Sequence, residues 1–155
     1  MPYDVPLILL ADDSSDDCKI VQMALKRLEI PCRLKTVPDG QALLQTLKGL
    51  GKPLEDGELP TLILLDLNLP FKNGLEALQE IKADQRLGSI PVIIWSTSEN
   101  PTDVEQCYKL GSNTFFTKPD SFDKVVETLR ELTHYWLSTA KLPIPVAQQT
   151  DNPSQ

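Results

Sequence analysis

Short unbroken apolar runs alternate along the chain with longer stretches in which apolar residues recur every three or four positions, from Leu7 to about Trp136. Leu7-Ile-Leu-Leu-Ala11 reads as a strand buried on both faces. A helix is predicted from about Asp16 to Leu28, with Val21, Leu25 and Leu28 at helical spacing. Arg33 to Val37 reads as a second strand and Gln41 to Leu50 as a second helix. Gly and Pro punctuate Gly49 to Pro60, a loop longer than most. Thr61-Leu-Ile-Leu-Leu-Asp66 is the most apolar strand, and it ends on a carboxylate. A helix from Gly74 to about Ala83, a strand Pro91 to Ser96 and a helix Pro101 to Leu110 follow, with Asn100 as the N-cap before Pro101. Thr114 to Thr117 is a short fifth strand. The last helix runs from about Phe122 to Leu137, its stripe formed by Phe122, Val125, Val126, Leu129, Leu132 and Trp136.

Five apolar strands alternating with five helices predict an α/β fold, a parallel sheet covered on both faces with right-handed crossovers. Ligands of such sheets bind outside the carboxyl ends of the strands. Composition agrees with one ordinary globular domain: 155 residues, 41% hydrophobic and 24% charged. The boundaries expected are 1–138 for the domain and 139–155 for a disordered tail carrying Pro143, Pro145, Gln148, Gln149, Asn152 and Pro153. A net charge of -7 argues against a broad nucleic-acid face. Neither a basic leader nor an apolar run of the roughly 18 residues a membrane span needs is visible, so a cytoplasmic protein with no membrane partner is expected. Cys18, Cys32 and Cys107 lack C-x-x-C spacing and argue against disulfides or a zinc site.

The strand ends hold the candidate chemistry. Strand one ends in Asp12-Asp13, strand three in Asp66, strand four in Ser96-Thr97 and strand five in Lys118-Pro119. Three carboxylates on one rim repel one another unless a cation intervenes, and one or two carboxylates plus waters are what magnesium prefers. A carboxylate beside such an ion can act as nucleophile toward phosphorus, because the ion neutralises charge on the phosphoryl oxygens. Lys118 adds a second positive charge, and the Ser96 hydroxyl can donate to a phosphoryl oxygen. Taken singly, Asp12-Asp13 could simply favour a helix N-terminus, and Lys118 could be a structural partner for Asp66. Together, in this order on these strands, they point to phosphoryl chemistry.

The set Asp12-Asp13, Asp66, Ser96 and Lys118-Pro119 resembles the receiver domain of two-component response regulators, over about Leu7 to Leu137. The stretch Asp66-Leu-Asn-Leu-Pro-Phe-Lys-Asn-Gly74, the long loop before strand three and the closing Tyr135-Trp136 resemble single-domain regulators that partner phytochrome-type histidine kinases. That resemblance implies a flavodoxin-like, doubly wound sheet of strand order 2-1-3-4-5. It implies a signalling domain rather than an enzyme, accepting a phosphoryl group from a sensor histidine kinase on Asp66. Asp13, Asp66 and the backbone carbonyl of Asn68 would hold Mg2+ (or Mn2+), with Asp12 acting through a water. Lys118 would contact the phosphoryl group, Ser96 would close over it, and Phe115 would change rotamer with it. A cis Lys118-Pro119 bond also belongs to the resemblance. Three departures bear on switching. Ser96 stands where threonine is commoner, Phe115 where tyrosine is common, and Trp95 is bulky for a central strand end. Asn68 and Ser98 flank the site and should tune hydrolysis of the aspartyl phosphate.

Two rivals share the topology. A magnesium phosphatase with an aspartyl nucleophile usually has a second acid two residues on, where this chain has Asn68. A flavin-binding domain needs a phosphate cradle after strand one, where Asp12, Asp13, Asp16 and Asp17 would repel it. Output is expected through docking, phosphoryl relay or a homodimer. A homodimer would use the last helix, where Tyr135 falls off the apolar stripe.

Overall fold

The computed structural model describes residues 5–49 and 58–143. Most of the loop expected at Gly49 to Pro60, and the tail beyond Pro143, lie outside the described residues. Five strands, β1 (Leu7–Ala11), β2 (Arg33–Val37), β3 (Leu62–Leu65), β4 (Val92–Ser96) and β5 (Thr114–Thr117), alternate with α1 (Ser15–Arg27), α2 (Gly40–Leu47), α3 (Gly74–Ala83), α4 (Pro101–Lys109) and α5 (Phe122–Thr133). All pairings are parallel and the strand order is 2-1-3-4-5, the doubly wound order expected.

Alternation along the strands divides the core in two. Leu9, Ala11, Ile63, Leu65, Val92 and Ile94 face α2 and α3, which contribute Leu43, Leu47, Ala77, Leu78 and Ile81. Ile8, Leu10, Leu62, Leu64, Ile93 and Trp95 face α1 and α5, which contribute Val21, Leu25, Val126 and Leu129. The three central strands are therefore buried at every position, and apolar at all but Ser96, because both faces are covered. The edge strands β2 and β5 are only half-buried at best. Trp95 fits because it is 2% exposed inside the α1–α5 layer rather than at the rim.

Each helix starts where a short polar side chain satisfies a free backbone N–H. Ser14, Asp39, Asn73, Asn100 and Ser121 all cap in this way. The last helix differs from the single α-helix expected to Leu137. After Thr133 it continues as a π-helical turn, His134–Thr139. The Thr133 hydroxyl donates to the carbonyl oxygens of Leu129 (2.6 Å) and Arg130 (3.3 Å), and such back-bonding loosens a helix locally. The stripe continues through the turn, with Trp136 and Leu137 packed on the α1–α5 layer while Tyr135 is 54% exposed.

Candidate functional site

The ladder itself carries the site residues past the strand ends. The N–H of Asp12 donates to Val37 O (3.0 Å), that of Asp66 to Ala11 O (3.0 Å) and that of Lys118 to Ser96 O (2.7 Å). Each functional backbone is thus fixed by the last rung of a parallel pair, while its side chain turns over the carboxyl edge.

Three carboxylates, Asp12, Asp13 and Asp66, each offer an oxygen within 4.8 Å of the others. Asp12 and Asp66 are buried and Asp13 is exposed. Asp12 Oδ1 accepts from the Ser14 N–H (2.9 Å), and Asp66 Oδ1 accepts from the Asn68 N–H (3.2 Å). These bonds orient both carboxylates and leave the Oδ2 atom of each to accept from Lys118. An all-oxygen set of this charge, with one member open to solvent, fits a hard divalent cation that keeps several waters. The Asn68 backbone lies against Asp66, and its side chain is exposed.

Lys118 Nζ donates to Asp12 Oδ2 (2.7 Å), Asp17 Oδ2 (2.8 Å) and Asp66 Oδ2 (3.0 Å). Burial alone would lower this ammonium, but the hydrogen bonds it donates to the three carboxylates outweigh it and hold the group above the ordinary lysine range. Asp12 moves the other way for a carboxylate. Burial raises it despite the bonds from Lys118 and Ser14, and the Asp66 charge adds to the rise. Burial and the nearby Asp12 charge also push the Cys18 thiol up to about 11, so it is no nucleophile at neutral pH.

Ser96 is fully buried at the end of β4, and its Oγ accepts from the Ser98 N–H (3.3 Å). Ser98 Oγ donates to Asp103 Oδ2 (2.6 Å), and Thr117 Oγ1 donates to Ser98 O (3.1 Å), tying the β4–α4 loop to α4 and β5. Phe115 is half-buried against the α2–α3–α4 layer, and its backbone N–H donates to the Tyr108 hydroxyl (3.2 Å). The chain thus gathers Asp12, Asp13, Asp66 and Lys118 into one cluster, whereas the hydrogen bonds of Ser96 and Phe115 run to the loop and to α4. The peptide before Pro119 is trans, correcting the expectation of a cis bond. The two strand-end rungs at Thr117 and Lys118 seat the lysine without it.

Sequence reasoning missed Asp17 as a partner of Lys118. Asp17 sits in the first turn of α1 beside Asp16, where acids are ordinary at a helix start, so nothing in the sequence set it apart. Tyr108 was missed because nothing in its α4 spacing marks a hydroxyl aimed at an edge strand. Gly74, where the third helix was expected to begin, also allows a close approach. A Cβ there would stand 2.3 Å from Asp66 O and 2.6 Å from Leu67 Cα.

Comparison with known proteins agrees with this geometry. The family model "Response regulator receiver domain" matches residues 8–130. The response regulator Rcp1 of Synechocystis sp. is 39% identical over 137 residues, covering 88% of this chain and 92% of Rcp1. The crystal structure of the phosphorylated cyanobacterial phytochrome response regulator RcpA superposes with a TM-score of 0.84 at 38% identity, over 90% of this chain and 99% of that one. The Mn2+-bound form of Rcp1 gives 0.82 at 39% identity, over the same shares. With the parallel sheet, its acidic rim and the matched model in agreement, this chain belongs to the response regulator receiver domain family.

Proposed function

We propose that this receiver takes a phosphoryl group from the phosphohistidine of a sensor histidine kinase onto Asp66, and that the kinase is of the phytochrome type. The observation that carries the proposal is the convergence of Lys118 Nζ on Asp66 Oδ2 at 3.0 Å, within a trio of carboxylates (Asp12, Asp13 and Asp66) whose oxygens lie within 4.8 Å of one another. The relatives described as phytochrome response regulators support the choice of kinase. Asp13, Asp66 and the Asn68 carbonyl would hold Mg2+, with Asp12 acting through a water, and Mn2+ as an alternative. The ion would supply charge neutralisation on the phosphoryl oxygens and order the carboxylates.

The chain's own groups do the rest. An Asp66 carboxylate oxygen attacks phosphorus in line, forming the P–O bond as the partner's N–P bond breaks. Lys118 stabilises charge on the transferred group. The Ser96 hydroxyl exchanges its loop contact for a phosphoryl oxygen, drawing in the β4–α4 loop, and Phe115 follows by packing alone. Asn68 and Ser98 set access of water to the acyl phosphate, which the domain helps to hydrolyse. Asn68 has no acid proton to offer, which disfavours the phosphatase reading.

Incubation with a small phosphodonor and Mg2+ should label the protein in an acid-stable, base-labile form. Asp66→Asn should abolish the label, as should a chelator. Labelling that survives the substitution contradicts the assignment. We place the protein in the cytoplasm, with no nucleic-acid or membrane partner; among the described residues no helix is long and apolar enough to cross a membrane. A homodimer through the last helix, with Tyr135 at its surface, is the output we favour. Tyr135→Ala should then lower the mass in solution, and an unchanged mass would remove Tyr135 from the interface.

A further inference from the structure

A lysine ammonium has three protons, and in this site each is committed to a different carboxylate: Asp12, Asp17 and Asp66, at 2.7, 2.8 and 3.0 Å. Asp12 and Asp66 also belong to the acid triad suited to a divalent cation, and Asp17 does not. The two sets of interactions draw on the same oxygens. Once Asp12 and Asp66 give their charge to a cation, and Asp66 is phosphorylated, Lys118 keeps only one full carboxylate. A side chain with about 2 kcal/mol of rotamer entropy would otherwise be free to swing away.

Asp17 is built for that duty. Its backbone N–H donates to the Ser14 cap (3.1 Å), which fixes the start of α1 under the carboxylate. The space beside the Asp17–Lys118 pair is walled by Ile20, Val21, Trp95, Pro119 and Val125. Those apolar walls lower the local dielectric and strengthen the pair beyond an ordinary surface bridge. The Lys118 side chain is 9% exposed and that of Asp17 37%, so the acid shields the lysine from solvent.

We infer that Asp17 is a positioning residue for phosphoryl transfer: it holds the Lys118 ammonium over Asp66 while Asp12 and Asp66 are engaged by the cation and the phosphoryl group. The inference rests on the reading of Asp66 as phosphoacceptor, and the test separates the two.

The direct measurement is the NMR signal of the Lys118 ammonium in 15N-labelled protein, assigned by its loss in Lys118→Arg. A buried, hydrogen-bonded ammonium exchanges its protons slowly enough to be seen. Wild type should keep this signal at saturating Mg2+. Asp17→Asn should keep it without metal and lose it when Mg2+ is added, and Asp17→Glu should retain part of it. In parallel, the limiting rate of phosphorylation by phosphoramidate at saturating Mg2+ should fall about tenfold in Asp17→Asn, the size of one well-placed charged contact. Mg2+ affinity should change by less than about threefold, because Asp17 lies outside the triad. A purely structural bridge would leave both the metal-dependent signal and the limiting rate unmoved. Persistence of the ammonium signal in Asp17→Asn with Mg2+, or an equal or faster limiting rate, overturns the inference. If wild type takes no phosphoryl group at all, the phosphoacceptor reading falls, while the ammonium signal still decides what Asp17 does.

Discussion

Asp12 shows most clearly how the site stores electrostatic tension. It is 3% exposed, and burial raises its carboxyl above the ordinary value of 3.8 despite the Lys118 bond. A raised folded pKa means that the protonated form is the one folding favours. The stability from this group is therefore complete below about pH 4 and is lost as pH rises through the folded pKa. At neutral pH burial disfavours the ionised Asp12, so Asp12→Asn should raise the melting temperature while weakening divalent binding. A lower melting temperature at pH 7 would show that the Lys118 bond outweighs burial. Asp12, Asp13, Asp66 and Lys118 were legible in the sequence because each directly follows an apolar strand, so the fold alone sends them to one rim. Asp17 was not, because a helix's first turn is where acids sit for capping reasons anyway, and only the reach of a lysine from another strand distinguishes it.

Elements were legible wherever periodicity and a cap agreed. β1, β2, α3 and β5 lie where the pattern puts them, and Asn100 before Pro101 marks the start of α4. What one-dimensional pattern cannot show is how closely two backbones approach. The N-terminus of α3 packs directly on the chain leaving β3, with Gly74 N–H donating to Leu67 O (2.9 Å). Gly74→Ala would press a methyl onto Asp66 O, 2.3 Å away, and shift the helix off the backbone of Asp66. Overpacking of this kind costs about 1–3 kcal/mol, so the melting temperature should drop by at least about 2 °C. A variant as stable as wild type would mean that α3 can retreat freely. The end of α5 was likewise hidden, since its apolar stripe continues unbroken into Trp136 and Leu137. The hydroxyl of Thr133 bonds inside its own helix, and the turn that follows is a π-turn.

At the scale of the molecule, two apolar layers clamp a parallel sheet whose carboxyl edge concentrates like charge. A fold so arranged is stabilised by whatever neutralises that edge. Mg2+ at about ten times its dissociation constant should add about 1.4 kcal/mol to stability, or about 3–6 °C in melting temperature. Asp13→Asn should lose most of that gain, and an unchanged response would place the ion elsewhere. The strand order follows from the family resemblance and the β/α alternation together, because alternation alone permits other parallel orders. If one aspartate at this edge receives the phosphoryl group, as proposed, the site of modification will show it. Protein phosphorylated in the presence of Mg2+ and reduced with borohydride converts the acyl phosphate to homoserine, which peptide mass spectrometry identifies. Homoserine is expected at position 66 alone; homoserine at position 12 or 13, with Asp66 intact, would overturn the assignment.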